Sequence, residues 1–435
     1  MHPLPKATLS ESRASLEAAK LARLRELLRT ILPHNRFYAE KLGRVLPQPD
    51  DLATLADLAG LPFTFKEELV AAAAAAGRPA NLTWPVDRYV RFHQTSGTHG
   101  RPLFVFDTAD DWKWWMDCWR LVMERAGVGP GDRVLVASSF GPYVGFWSAF
   151  EGAVHAGAMA IPSGGVSSGG RLELLRSLDA TVLVATPSYA LHLAEVAEQA
   201  KIDVAALPVR LVVVAGEPGG SVPAVRARIA AAWAADVLDH AGATEVGPWG
   251  VGDLHGPGLD VIEPFFHAEF LALESGRPAA EGELSELVLT TLGRAGAPLI
   301  RYRTGDVVRP TWAAAADVAA GACPWVRLEG GVLGRTDDML VVRGVNIFPG
   351  AIDDIVRGFP EVVEHRLTVG TRDSLDELHL EIEDRLAAPD RVARELQLRL
   401  GLRVTVEGVP IGSLPRFEGK ARRIVDRRQR SARHE

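Results

Sequence analysis

The chain has 435 residues, 47% of them hydrophobic and 24% charged, with a formal net charge of −7. That length exceeds one ordinary hydrophobic core, so two or more domains are expected. The composition is that of a soluble globular protein, and its acidic balance gives no general attraction to nucleic acid or to an anionic membrane. Cys118 and Cys323 lie far apart, which indicates neither a disulfide framework nor a thiol metal site, and points to a reduced, cytoplasmic setting. No apolar run approaches membrane-spanning length, and the first residues lack the apolar core of a signal peptide.

In chain order, leucines at helical spacing predict helix from about residue 10 to 45. Thr64 followed by Glu67 reads as a capping box opening a second helix, which runs into an alanine tract. Two strand-like runs, 89–93 and 103–106, flank a loop containing Thr95, Ser96, Gly97, Thr98, Gly100 and Arg101. Glycines admit close backbone approach and hydroxyls add donors, so the loop suits a bound phosphate. It lacks the Walker A lysine and leads into a strand. Alone, it reads more readily as a hairpin turn than as a site. A helix over 110–125 carries Trp112, Trp114, Trp115 and Trp119, which are expected to pack in a core.

Apolar strands at 134–137, 158–161, 182–185 and 211–214 then alternate with helices, and a further strand is expected at 235–238. This predicts an α/β fold: a doubly wound, mainly parallel sheet whose ligands sit beyond the strand carboxyl ends. The loops expected there are 163–165, 186–189, 215–220 and 240–248. Strands expected at 265–273, 285–292 and 299–308 have no intervening helices and form a β-rich subdomain. Residues 311–332 read as a loop. From residue 335 a small, mobile α+β unit is expected, dividing the chain into a large domain of residues 1–334 and a small domain of 335–435.

Individually these signals are weak, but their order is informative. Thr-Ser-Gly-Thr-x-Gly-Arg-Pro at 95–102 is followed by Gly-Ala-Thr-Glu-x-Gly at 242–247 and Arg-Tyr-Arg-Thr-Gly-Asp at 301–306. Gly-Arg-Thr-Asp-Asp at 334–338 and Pro-Arg-x-x-Gly-Lys at 415–420 complete the series. This resembles the adenylate-forming (acyl-CoA synthetase) superfamily. Residues 61–64, 186–189, 216–218, 298–306 and 337–349 resemble its phenylacetate-CoA ligase-like branch.

The resemblance implies a two-step reaction. A carboxylate attacks the α-phosphate of ATP to give acyl-AMP and pyrophosphate, and a thiol, usually that of CoA, then displaces AMP. It implies that Thr95, Ser96, Gly97, Thr98, Gly100 and Arg101 hold the departing phosphates. Thr244 would donate to the α-phosphate and Glu245 would bind Mg²⁺. Asp306 and Arg335 would hold the ribose, Lys420 would catalyse adenylation, and Asp337 would be the hinge of a rotating small domain. The nucleotide would also meet Gly216, Glu217, Pro218, His240, Ala241 and Gly242.

The chain departs from the family pattern in places. Ala241 stands where an aromatic residue usually stacks on adenine, so adenine would stack elsewhere or rest on backbone near Gly216 and Gly242. Branch members with a structural zinc use several cysteines and a histidine across the segment matching 250–325. Here only Cys323 is present, with Asp253 and Asp260, and no zinc is expected. The resemblance places the acyl pocket at Phe140, Gly141, Tyr143, Phe146, Trp147 and Ala215, which suits a flat aryl acid and equally suits plain helix packing. The acceptor stays open between CoA, a carrier-protein thiol and an amine. A nucleotide-binding homologue without catalysis is the rival from another class. A homodimer is compatible with the sequence, and neither nucleic acid nor membrane is expected as a partner.

Overall fold

The computed structural model describes residues 12–46, 48–95, 102–337, 340–342, 345–347, 349–372, 375–400, 404–415 and 423–427. The first helical stretch is two helices, α1 (Arg13–Ile31) and α2 (Arg36–Leu42), not one. The break falls at Leu32-Pro33-His34-Asn35, where proline cannot continue the helix and the Asn35 side chain accepts from Tyr38 N–H to cap the next. Helix α3 (Lys66–Ala76) starts one residue later than the Thr64 signature suggested: Phe65 is its cap residue, and its N–H donates to Glu68. Thr64 is buried instead, its hydroxyl donating to Ile300 O at 2.7 Å.

Strands β1 (Tyr89–Gln94) and β2 (Phe104–Thr108) form an antiparallel hairpin, and α4 (Ala109–Arg125) follows, capped by Thr108. The four tryptophans of α4 are buried, as expected. The alternating region gives β3 (Arg133–Val136), α5 (Val144–His155), β4 (Met159–Pro162), α6 (Ser168–Ser177) and β5 (Val182–Ala185). It continues with α7 (Pro187–Gln199), β6 (Leu211–Ala215), α8 (Pro223–Trp233) and β7 (Asp236–Ala243). Two strands that the sequence did not suggest follow, β8 (Gly247–Asp253) and β9 (Gly256–Val261).

The β-rich part holds β10 (Phe266–Ala272), β11 (Ser285–Thr291) and β12 (Tyr302–Val308). After it come β13 (Pro310–Thr311), α9 (Ala315–Ala319), β14 (Arg327–Leu328) and β15 (Gly334–Arg335). The stretch expected as a loop, 311–332, thus contains a short exposed helix and a strand. The C-terminal part has β16 (Leu340–Val342), β17 (Val345–Ile347), α10 (Pro349–Arg357), β18 (Val362–Arg372), β19 (Leu375–Asp384), α11 (Pro389–Leu400), β20 (Thr405–Gly408) and β21 (Ile424–Asp426).

Among the described residues the main sheet has nine strands, ordered β13-β14-β9-β8-β7-β6-β5-β3-β4. The run β7-β6-β5-β3-β4 is parallel and the remainder antiparallel. Alternation decides how it is covered. Val134, Val136, Val182, Val184, Leu211 and Val213 face a core shared with α4 and α5. Their neighbours Leu135, Leu183, Val212 and Val214 face the core under α6, α7 and α8. Both faces are therefore dry, which is why these strands read as unbroken apolar runs. Chain order reverses between β3 and β5, so the crevice beyond their carboxyl ends is the expected ligand position. The strands β10-β11-β12-β15 form a second antiparallel sheet, and β20-β19-β18-β21 the sheet of the C-terminal part.

Candidate active site

The segment 61–66 and the segment 298–306 are mates in space. Thr64 N–H donates to Arg301 O at 2.9 Å and Arg303 N–H to Thr64 O at 3.0 Å. Arg301 has φ of 48°, an uncommon conformation for a residue with a side chain. Its guanidinium locks it there, pairing with Glu269 at 2.8 Å, donating to Ala59 O and Leu61 O, and lying 4.0 Å from the centre of the Phe63 ring. The turn this creates aims Tyr302 across to Glu245. The Tyr302 hydroxyl donates to Glu245 Oε1 at 2.8 Å, and Lys66 Nζ stands 3.6 Å from the same oxygen. Burial, and then the Glu245 charge, push the Tyr302 hydroxyl pKa well above its usual value, so it remains a donor.

Glu245 is also fixed through its backbone. Arg294, fully buried, donates to the Glu245 carbonyl and through Nε to Asp107 Oδ1 at 2.8 Å. Asp107 is in β2, the strand that leaves the glycine-rich loop. One guanidinium thus ties that hairpin to the Glu245 turn. At the base of the loop, Thr95 closes the hairpin: its N–H donates to Leu103 O and its hydroxyl accepts from Leu103 N–H at 2.9 Å. Ser96, Gly97, Thr98, Gly100 and Arg101 lie outside the described residues, as does Lys420.

The segment expected as a loop at 240–248 is largely strand, because β7 runs through Ala243 and turns back into β8. This changes the reading of His240. Its ring faces the interior, with Nδ1 2.7 Å from Gly250 O and its centre 4.4 Å from that of Trp119. Burial lowers its pKa to about 4, so it is neutral at neutral pH. Ala241 pairs with Gly250 across the strands, and Gly242 and Thr244 follow towards Glu245.

Gly216, with φ of 91°, turns the chain after β6, and Glu217 accepts from Ser188 N–H at 2.7 Å at the start of α7. Pro218 follows in the same loop. Asp306 lies opposite Arg335 across β12 and β15, with Arg335 Nη1 3.2 Å from Asp306 Oδ1. Arg335 also pairs with Asp337 at 2.8 Å. A side chain at Gly305 would stand 2.8 Å from Arg335 Nη2, so glycine there admits the guanidinium.

The expected acyl-pocket residues sit beyond β3, beside the switch point. Phe140 meets Trp147 edge-on at 4.8 Å and Phe150 at 5.6 Å. Trp147 Nε1 donates to Gly141 O at 2.8 Å, fixing the turn, and Gln94 N–H donates to Pro142 O, tying it to the hairpin. Tyr143 is exposed, Phe146 is partly buried at the start of α5, and Ala215 ends β6. His93 is buried beneath the hairpin against Trp112, and burial lowers its pKa to about 4.

Two of the expected ligand stations for zinc carry other contacts. Asp260 is paired with Arg125 and Arg327, each at 3.0 Å, and Arg125 Nη2 lies 3.3 Å from Cys323 Sγ. A guanidinium therefore occupies the space between that carboxylate and that thiol. Among the described residues no group of three or more His, Cys, Asp or Glu side chains is placed to hold a metal.

Tyr302 and Ser188 lie within the sequence motifs and Lys66 beside one, but nothing in the motifs marks them as site residues. Arg294 carried no signal beyond its place shortly before 298–306. No helix among the described residues is long and apolar enough to cross a membrane.

Comparison with known proteins agrees with this geometry. Residues 29–289 match the family of AMP-binding enzymes, and residues 344–428 the AMP-binding enzyme C-terminal domain. The phenylacetate-coenzyme A ligase of Escherichia coli (strain K12) is 31% identical, the alignment covering 98% of each chain. Among solved structures, 2-hydroxyisobutyryl-CoA ligase in its postadenylation state with 2-HIB-AMP superposes with a TM-score of 0.89, at 29% identity over 98% of this chain and 94% of that one. In its thioester-forming state with CoA the TM-score is 0.72, at 30% identity and the same coverage. The chain therefore superposes better on the postadenylation structure of that ligase than on its thioester-forming one. The chain belongs to the AMP-binding enzyme family, in its phenylacetate-coenzyme A ligase-like branch of AMP-forming acid–thiol ligases.

Proposed function

We propose that this ligase activates an aryl or arylacetic acid with ATP and Mg²⁺ and transfers the acyl group to CoA. The observation that carries the reading is the convergence on Glu245 of segments 61–66, 242–245 and 294–306, beside a hairpin whose loop bears small hydroxyl residues and glycines. The first half-reaction joins two anions, so its barrier is set by charge neutralisation and alignment. Glu245 suits Mg²⁺, which takes few protein carboxylates and completes its shell with water and substrate phosphates. That ion would neutralise charge on the phosphates of ATP.

In this reading, Thr244 and the loop 95–101 donate to phosphate oxygens, Asp306 and Arg335 hold the ribose, and the backbone at 216–218 and 241–242 borders adenine in place of a stacking ring. Lys420 supplies a positive charge for adenylation, and Asp337 is the pivot. The large domain ends near residue 334. The edge-on aromatic cluster of Phe140 and Trp147 favours a flat acyl group. Asp260 and Cys323 hold a guanidinium in place of zinc. The setting is the cytoplasm, and light scattering reads whether the enzyme is a homodimer.

The test is a panel of aryl, arylacetic and short aliphatic acids, assayed for pyrophosphate release with and without CoA. Acid-dependent release with an acyl-CoA product on the aryl members is expected. Release without acyl-CoA would move the acceptor to a carrier-protein thiol or an amine. No acid-dependent release would leave a nucleotide-binding homologue.

A further inference from the structure

Lys420 is followed three residues later by Arg423, whose guanidinium crosses from the C-terminal part to the large part. It is the residue just before β21, and its carbonyl accepts from Leu367 N–H in β18 at 2.7 Å, so its backbone is fixed to the small sheet. Its side chain is held by Glu364, at 2.6 Å through Nε and 3.1 Å through Nη2. The same guanidinium then reaches Ser188 Oγ on the large part, at 3.3 Å from each terminal nitrogen. Ser188 is the second residue of α7, and its N–H is the donor to Glu217 in the segment 216–218. A continuous path thus runs from the nucleotide-side loop, through Glu217 and Ser188, to Arg423 and Glu364.

The contact lies at an open, charged seam. A cavity of about 40 Å³ separates the two parts here, lined in part by Glu195, Arg228 and Arg357. Burial, and then repulsion from Arg357 of the small part, lower the Arg228 pKa, with Glu195 and Glu364 acting in the opposite direction. The interface is therefore not densely packed around the Arg423 contact, and its charges are mixed: Glu217 of the large part attracts Arg423, while Arg228 and Arg357 oppose one another. A bidentate-capable guanidinium on a hydroxyl acceptor is geometrically demanding and individually modest, as a contact that must be broken each turnover should be.

We propose that Arg423 is a positioning residue for the adenylation half-reaction: by docking on Ser188 it holds the small part against the large part for that step, and it lets go for thioester formation. The proposal rests on the reading above that Lys420 serves adenylation. It predicts an effect on one half-reaction only, which a general folding role would not produce.

The experiment compares full-length wild type, Arg423→Gln, Ser188→Ala and the double variant. Acid-dependent ATP–pyrophosphate exchange reports adenylation, and release of AMP from purified acyl-AMP plus CoA reports thioester formation. Ser188→Ala removes only the acceptor on the large part, so it tests the contact without exposing Glu364. We expect exchange to fall about tenfold or more in Arg423→Gln and severalfold in Ser188→Ala, with thioester formation within about twofold of wild type. The double variant should be no slower than Arg423→Gln, because both changes break one contact. Equal loss in both half-reactions, or normal exchange in Ser188→Ala, overturns the proposal. Absence of exchange in the wild type would instead overturn the adenylation reading.

Discussion

The hydroxyl of Tyr302 donates to Glu245 Oε1 at 2.8 Å, and it does so because Arg301, one residue earlier, is held in a left-handed turn by Phe63 and Glu269. Tyr302→Phe removes the donor and keeps the ring. A hydrogen bond to a charged group contributes about 1.5–3 kcal/mol, so the expected loss in adenylation is about tenfold or more. The loss should shrink as Mg²⁺ is raised, because in the proposed reading a looser Glu245 would bind the ion more weakly. Pyrophosphate exchange titrated with Mg²⁺ checks it; an unchanged metal dependence would remove Tyr302 from the site.

Arg294 and Asp107 are buried together, and breaking such a pair leaves a charge without a partner. Arg294→Met is expected to destabilise the fold by about 3–5 kcal/mol, and Arg294→Met with Asp107→Leu to recover most of it. Denaturant unfolding of the two variants reads this directly. If the double variant is as unstable as the single one, the carbonyl of Glu245 is the partner that matters more.

His93 and His240 are both held neutral by burial, with pKa values of about 4 in the fold. The unfolded chain binds a proton at each below about pH 6.5, the native chain only below about 4. Between these values the unfolded state carries more protons, so stability falls as pH drops and is fully present above about 6.5. Asp239, raised to about 6 by burial, acts in the opposite direction between about 4 and 6 and cancels one histidine there. His240→Asn should therefore reduce the slope of stability on pH by one proton, about 1.4 kcal/mol per pH unit, across that window. Urea unfolding at pH 5 and 6 measures it.

Asp337 is exposed and paired with Arg335, which also meets Asp306. Proline there would restrict the backbone at the proposed pivot. Asp337→Pro is expected to keep acid-dependent exchange and to slow thioester formation, the reverse of Lys420→Ala. Single-turnover assays of each half-reaction decide. Slowing of both steps by Asp337→Pro would place the pivot elsewhere.

The parallel core was legible because both its faces are buried, so Val182–Ala185 and Leu211–Ala215 read as uninterrupted apolar runs between helices. The family was legible through the order of its motifs along the chain. What escaped was whatever depends on distant segments meeting. Thr64 looks like a helix cap in sequence, yet it is recruited into pairing with Arg301 and Arg303, and the cap moves to Phe65. His240 looks like a ligand-loop residue, yet β7 carries it into the core because β8 pairs with its end. Gly247, Gly250 and Gly252 made β8 look unlike a strand. They are small because Trp114, Ala241 and the Asp239 backbone stand where their side chains would be. Arg294 is one arginine among many until Asp107 and Glu245 are brought to it.

The most direct test of the central claim is capture of the intermediate. The enzyme incubated with ATP, Mg²⁺ and an aryl or arylacetic acid that supports pyrophosphate release, in the absence of CoA, should yield the corresponding acyl-AMP by mass spectrometry, and adding CoA should convert it to the acyl-CoA with release of AMP. ADP as the nucleotide product, or an acyl-CoA formed with no adenylate at any time point, would contradict it.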